Sequence, residues 1–389
     1  MSFFEGGLSR LAASAFTKAS PAYVQFYVTA RCNLACEQCN IIYANADQEE
    51  VSTEGCRRIA ENLARIGTSV VLLTGGEPFI RKDLPRICKA FLDNGIHPRI
   101  QTNGFASREQ LEAVADVGVR DISVSLDALS PSVQDRINGG FDRSWERTIE
   151  TIATINEIFP ENSFAALGCV LSPSNIGQIS DVVRFATEIG WWLSLVPVHV
   201  TNPARPRNFR TFDSSLSFKP EELPRVRAVL DSVKAMRDHG FAVYDSDEYL
   251  DDIYRFVAGE PVRWRHRNRN VCDSPFLYFA IQPNGDMAVC CDYRLGESHP
   301  VQSPDFVEKY YGDELHREVE AITSSCDGCM YGSFPEISIS TRYFISMARR
   351  ARLFLIDGAS RRKLAHYPAG QLFQLAADLS SGSARVASK

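Results

Sequence analysis

Three cysteines, Cys32, Cys36 and Cys39, fall inside "RCNLACEQCN", Arg31 to Asn40, directly after the strand-like run "YVQFYVTA". Three thiolates at that spacing can wrap three corners of an iron-sulfur cube and leave one iron open. Structural zinc requires a fourth ligand, and the nearest histidine is His97. A second group reads "CDSPFLYFAIQPNGDMAVCC" from Cys272, with Cys290 and Cys291 at its end, followed later by "CDGC", Cys326 to Cys329. Four cysteines from a hairpin and a tight loop suit either a closed zinc site or a fully ligated cluster, and composition does not separate the two. Cys56, Cys88 and Cys169 lie in helix-like or strand-like runs and read as small buried apolar residues.

The elements that must position these thiols follow one rhythm from Tyr23 to about His199. "YVQFYVTA", "SVVLLT", "HPRIQT", "RDISVSL", "FAALGCVL" and "WLSLVPV" alternate with amphipathic stretches at Thr53 to Ile66, Lys82 to Asn94, Ser107 to Val117, Ser144 to Ile158 and Ile176 to Ile189. Such alternation builds a parallel sheet with helices outside it. A doubly wound sheet and a barrel both fit. "TGGEP", "TNG" and "SLDA" each follow a strand, and in a barrel these ends share one rim, where chemistry is placed. The expected fold is therefore α/β, a partial (β/α)6 TIM-like barrel followed by a small α+β domain that carries the second cysteine group, an auxiliary iron-sulfur domain if the family resemblance given below holds. Expected divisions are an N-terminal amphipathic segment at 1–22, the barrel at 23–215, a helical linker at 216–262, the auxiliary domain at 263–340 and a basic amphipathic helix with tail at 341–389. The turn "PNG" between "FLYFAIQ" and "DMAVCCD" signals a hairpin.

The chain has 389 residues, 44% hydrophobic and 23% charged, with a net charge of -6. That balance gives no general drive toward nucleic acid, and no nucleic-acid motif is present. No run reaches the roughly 18 apolar residues of a spanning helix. The N-terminus lacks the apolar core of a secretory signal, so a cytoplasmic protein with reduced thiols is expected.

"CNLACEQC" resembles the CxxxCxxC signature of radical S-adenosylmethionine (SAM) enzymes, and "GGEP" at Gly75 to Pro78 supports the match independently. The resemblance implies a 4Fe-4S cluster on Cys32, Cys36 and Cys39. Its open iron binds S-adenosylmethionine, whose one-electron cleavage gives a 5′-deoxyadenosyl radical that removes hydrogen from substrate. An external one-electron donor such as flavodoxin or ferredoxin is implied with it. Gly75, Gly76 and Glu77 are implied to hold the methionine amino group, and Asn103 and Ser125 to contact ribose or carboxylate. One departure is Gln38, where the family usually has an aromatic residue near adenine; Tyr43 is a candidate substitute.

The C-x12-G-x4-C pattern through Gly285, with the later CxxC, resembles the twitch form of the SPASM extension. It implies one auxiliary 4Fe-4S cluster on Cys272, Cys290, Cys326 and Cys329, with Cys291 on the other face of its strand. The implied reaction is hydrogen abstraction from a biosynthetic intermediate and its oxidation, with the second cluster as electron acceptor. The alternative is a maturase forming thioether or carbon-carbon links in a ribosomal peptide, or an epimerase. Only 31 residues precede Cys32, which weighs against a leader-binding domain. An electron carrier or zinc scaffold would explain the cysteines but not "GGEP".

Asp127, His199 and Asp292 are candidate proton acceptors. "RWRHRNRN", Arg263 to Asn270, is either a solvated loop or a contact for an anionic substrate or redox partner. Arg342 to Leu364 reads as a basic helix in which Phe344, Met347, Ala348, Ala351, Phe354 and Leu355 share a face. With Phe4, Leu8, Leu11 and Ala15 at the N-terminus, it raises peripheral contact with the inner face of a membrane and a lipid-linked substrate.

Overall fold

The computed structural model describes residues 20–39, 48–200, 214–266, 272–355 and 362–382. The expected N-terminal helix, Tyr43 and residues 267–270 of the arginine-rich stretch lie outside the described residues.

Strands and helices alternate as the sequence predicts. β1 (Tyr23–Thr29) leads to α1 (Thr53–Arg65), β2 (Val70–Gly75) to α2 (Leu84–Asp93), and β3 (His97–Thr102) to α3 (Arg108–Asp116). β4 (Asp121–Ser125) is followed by two helices, α4 (Pro131–Ile137) and α5 (Ser144–Ile158); then come β5 (Phe164–Leu171), α6 (Ile179–Glu188) and β6 (Trp192–Pro197). Local chemistry sets the helix starts. Ser52 accepts from the Gly55 amide at the head of α1, and Ser107 with Gln110 forms a reciprocal capping box on α3.

The strands are two-faced. Val24, Phe26 and Val28 of β1, Leu73 of β2, Ile100 of β3, and Ile122 and Val124 of β4 are fully buried against helix residues such as Ile59, Phe91 and Ile149. Alternate positions carry Gln25, Gln101, Ser123, Ser125, Gly168 and Ser194. Parallel strands buried on both faces are ordinarily apolar throughout. The inner face is mixed: these polar residues lie between two smaller apolar clusters, one around Tyr23, Tyr278 and Phe334 and one around Phe164 and Trp192.

β1 to β6 pair in parallel in sequence order, and the sheet is not closed. On the free side of β1 lies β7 (Tyr278–Ile281), parallel to it, with β8 (Met287–Ala288) antiparallel outside. The hairpin of the second cysteine group therefore extends the barrel's own sheet.

Beyond β6 come α7 (Leu223–Asp238), α8 (Asp247–Val257) and the single turn α9 (Arg263–His266). Arg263 pairs with Asp251 at 2.5 Å and lies 3.6 Å from Asp252, so this arginine serves the helix packing. After β8 follow α10 (Phe306–Tyr310), α11 (Asp313–Ser324), α12 (Ser333–Arg342), α13 (Phe344–Leu355) and α14 (Ala369–Ser380). No helix among the described residues is long and apolar enough to cross a membrane.

The basic helix differs from its sequence expectation. α13 begins after a break at Tyr343; Phe344, Ala348 and Ala351 are exposed, whereas Ser346 is buried. Arg350 pairs with buried Glu336 at 3.3 Å and points into the protein, whereas Arg349 pairs with Asp247 at 2.7 Å at the surface. Carboxylates on α8 and α12 set the buried face, overriding the apolar pattern.

Asp245 joins β6 to this region, accepting from Ser194 Oγ at 2.9 Å and the Leu195 amide at 2.6 Å. Burial, reinforced by Glu336, raises its pKa from 3.8 to about 7. The folded chain thus holds this proton more tightly than the unfolded chain. The associated stability is full below about pH 4 and is lost as pH rises toward 7. Thermal melts of Asp245→Asn should show a flatter decline across that window than the wild type; identical slopes would exclude Asp245 as the source.

Candidate active site: two thiol groups on one sheet

The chain leaves β1 directly into the first cysteine loop, and β2 holds that loop in place. The Gly76 amide donates to Thr29 O at 2.9 Å and the Glu77 amide to Arg31 O at 2.8 Å, continuing the strand pairing past the end of the sheet. A Cβ on Gly75 would lie 2.2 Å from Thr29 O, and one on Gly76 2.0 Å from Arg31 O. Both glycines are thus required by the loop itself. Arg31 is clamped to Glu50 by two bonds of 2.8 and 3.0 Å, and Glu50 also bonds the Thr29 hydroxyl.

On the far side, the Glu37 amide donates to Ile137 O, and Gly139 lies so close that a Cβ would meet Ala35 O at 2.3 Å. Gln38 donates to Asp127 Oδ2 at 2.8 Å, while Asp127 Oδ1 accepts from the Val170 amide at 2.6 Å. Burial raises the Asp127 pKa to about 6 against the pull of these two donors. With both oxygens engaged, Asp127 anchors the loop to the ends of β4 and β5. Nothing in the spacing of residues 38 and 127 signals that pairing.

Glu77 is buried and ties three strand ends together. Oε1 accepts from the Phe79 amide at 3.0 Å and Thr102 Oγ1 at 2.9 Å, and Oε2 from the Asn103 amide at 2.7 Å. Burial raises its pKa to about 7, opposed by those donors. Asn103 Nδ2 donates to Asn33 Oδ1 at 2.8 Å and lies 3.7 Å from Cys32 Sγ. Ser125 accepts from Gln101 at 3.1 Å on the inner face of the sheet. The structure thus brings Gly75, Gly76, Glu77 and Asn103 to the Cys32 loop, with Ser125 at the end of β4.

Burial pushes the Cys32 and Cys36 thiols up; Glu77 and Cys39 add to it at Cys32, and Cys39, Asp127 and Cys32 at Cys36. Mutually repelling thiolates suit a cationic metal centre, whose binding deprotonates them. That donor set fits an iron-sulfur group.

Cys272, Cys290, Cys326 and Cys329 line one cavity, walled also by Trp264, Ile322 and Phe334. Among the described residues no three His, Cys, Asp or Glu side chains converge as a single ion demands. A cube differs in giving each thiolate its own iron. Burial raises the Cys272 thiol to about 11, partly offset by a 3.5 Å contact with Tyr278 Oη, and burial raises Cys290 further. Cys291 is buried away from the cavity, 3.7 Å from Gln25 Oε1.

His199 and Asp292 belong to the wall of this second group. His199 Nδ1 donates to Pro197 O at 2.9 Å and Nε2 accepts from the Met330 amide at 3.0 Å, a neutral tautomer with both nitrogens used. Its ring stacks on Tyr331 at 3.8 Å, and Tyr331 Oη donates to Asp292 at 2.6 Å. The Asp292 amide in turn lies 3.3 Å from Cys290 Sγ. His199 thus fastens the end of β6 to the CxxC loop. Sequence reasoning missed Tyr331, Trp264 and the inner-face Gln25 and Gln101; polar residues at alternate strand positions were the available signal for the last two.

Residues 26–186 match the family model described as the radical SAM superfamily. Fe-coproporphyrin III synthase of Methanosarcina barkeri is 36% identical over 253 residues, covering 62% of this chain and 59% of that protein. PqqA peptide cyclase of Bradyrhizobium diazoefficiens is 26% identical over 184 residues, 47% of each. The chain thus spans roughly half of the curated relatives it matches. Streptococcus suis SuiB bound to precursor peptide SuiA shares the fold, with a TM-score of 0.60 at 17% identity over 82% of this chain and 75% of that one. Residues 26–186 are thus the part of this chain that matches the radical SAM superfamily.

Proposed function

We propose that this enzyme removes hydrogen from an unactivated carbon of a small biosynthetic substrate and completes a two-electron oxidation. The observation that carries this reading is the single cavity lined by Cys272, Cys290, Cys326 and Cys329, on the sheet whose β1 feeds the Cys32 loop. The family match implies a 4Fe-4S cluster and S-adenosylmethionine, which when bound supply the radical, and four further thiolates suit a second cluster able to accept an electron.

The chain's own residues supply position. Cys32, Cys36 and Cys39 hold the first cluster, with Asn103 beside Cys32. Glu77 offers a buried carboxylate to the amino group of S-adenosylmethionine, and Ser125 meets its ribose or carboxylate. The polar residues of the inner face, Gln25, Gln101 and Ser123, orient the substrate and exclude bulk water. Asp127 and His199, both fully engaged, act as positioning residues, and Asp292 supports Cys290. A 36% identical relative named for a small-molecule product favours this reading.

A second reading, peptide maturation, draws on the PqqA peptide cyclases, of which the Rhodopseudomonas palustris protein is 31% identical over 168 residues. The reconstituted chain should produce 5′-deoxyadenosine from S-adenosylmethionine under strong anaerobic reduction; no product with iron in place would remove both readings. Glu77→Gln should keep its iron and lose roughly tenfold to a hundredfold in cleavage rate, the range for a hydrogen bond to a charged group. An unchanged rate would remove Glu77 from the amino-group role.

A further inference from the structure

A second recess lies at the opposite end of the strands from the Cys32 loop. Trp192, the first residue of β6, opens a groove of about 780 Å³ that runs past Tyr244 and Ser246 to α13. Arg237, Arg349, Arg350, Arg352 and Arg362 line it, as do Asp238, Asp245 and Asp247.

Three of these arginines have carboxylates. Arg237 pairs with Asp247 at 2.7 Å, Arg349 with Asp247 at 2.7 Å and Arg350 with Glu336 at 3.3 Å. Arg362 differs: its guanidinium donates to Gly240 O at 2.9 Å and sits 4.9 Å from the centre of the Trp192 ring, with no carboxylate beside it among the described residues. Burial alone acts on it, lowering its pKa. A half-buried cation with no carboxylate at its side leaves room for an incoming anion to pair with it. The second orphan in the groove is Ser346, only 1% exposed, whose hydroxyl has no hydrogen-bond partner.

We infer that this groove binds an acidic peptide segment, a side-chain carboxylate of which pairs with Arg362 while a neighbouring polar group reaches Ser346. The recess is larger than one small oxyanion needs. One face each of Trp192 and Tyr244 is already covered by Arg362 and Arg350, at 4.9 and 3.8 Å, so these rings present arginine and not a bare aromatic face to the occupant. The site stands apart from the thiols and does not depend on the reaction proposed above.

The test uses the full chain and a fluorescein-labelled peptide of alternating glutamate and glycine, followed by anisotropy. The peptide should bind, Arg362→Ala should weaken it at least about tenfold, and Ser346→Ala should weaken it about threefold, as expected for losing a half-buried ion pair and a hydrogen bond. Arg57→Ala, on the exposed face of α1, should leave affinity unchanged. No binding, equal binding of a lysine-glycine peptide, or full affinity in Ser346→Ala would overturn the inference. Displacement by inorganic phosphate at concentrations equal to those of the unlabelled peptide would also overturn it, by reducing the groove to a small-oxyanion site. Thermal melts of both variants separate lost binding from lost folding, and Ser346→Ala removes a hydroxyl that bonds nothing.

Discussion

Alanine at Cys32, Cys36 and Cys39 together should lower the iron of anaerobically reconstituted protein from about eight atoms per chain to about four, the content of one cube. Cleavage of S-adenosylmethionine should fall to background. The variant separates the two thiol groups because they hang on different parts of the sheet, one on the loop leaving β1 and the other around the β7–β8 hairpin. The remaining four thiols should give the Mössbauer spectrum of an intact cube. A fall from about four irons to none would leave the second cavity with zinc or nothing. The electron-accepting role, and the oxidation built on it, would then go.

Gly76→Ala should be nearly as damaging although it removes no ligand. The new Cβ would lie 2.0 Å from Arg31 O and 2.9 Å from Ala30 O, both backbone atoms that cannot swing aside. Relief requires breaking the bonds from Gly76 and Glu77 to Thr29 and Arg31, which displaces the start of the cysteine loop. Overpacking of this kind costs about 1–3 kcal/mol, and more where backbone must move. Iron content should fall toward that of the triple cysteine variant, with a lower melting temperature. Gly370→Ala in α14 is the control of opposite sign, because nothing lies within 4 Å of its Cβ position and alanine is the better helix former by about 1 kcal/mol. Full iron in Gly76→Ala would show that the loop does not rely on the extended β2 pairing.

Much of this was legible from local chemistry. Strand-helix alternation located every barrel strand, because buried β-branched runs and capped helices are written over a few residues. The cysteine spacings marked two groups of thiols for the same reason. Contacts between distant segments were not legible. Gln38 reads as a departure from a family pattern, and only the fold shows it bonded to Asp127. "GGEP" signals glycines that allow close backbone approach, and only the fold shows that the Cys32 loop makes such an approach to both. His199 reads only as a candidate proton acceptor, and the fold alone shows Pro197 and Met330 at its two nitrogens. The partners of α13 were not legible, because the carboxylates that capture its arginines belong to α8 and α12, about 100 and 14 residues away in sequence.

The pairing of β7 with β1 has a consequence for biogenesis. Tyr23 registers with Tyr278, a separation of 278 − 23 = 255 residues. On the ribosome, β1 and the first cysteine loop emerge early, but one flank of β1 stays bare until β7 appears much later. An uncovered strand edge invites pairing with other chains. Cluster delivery to Cys32, Cys36 and Cys39 should therefore be most productive after synthesis has passed the hairpin, and iron starvation should penalise nascent chains stalled between the two cysteine groups.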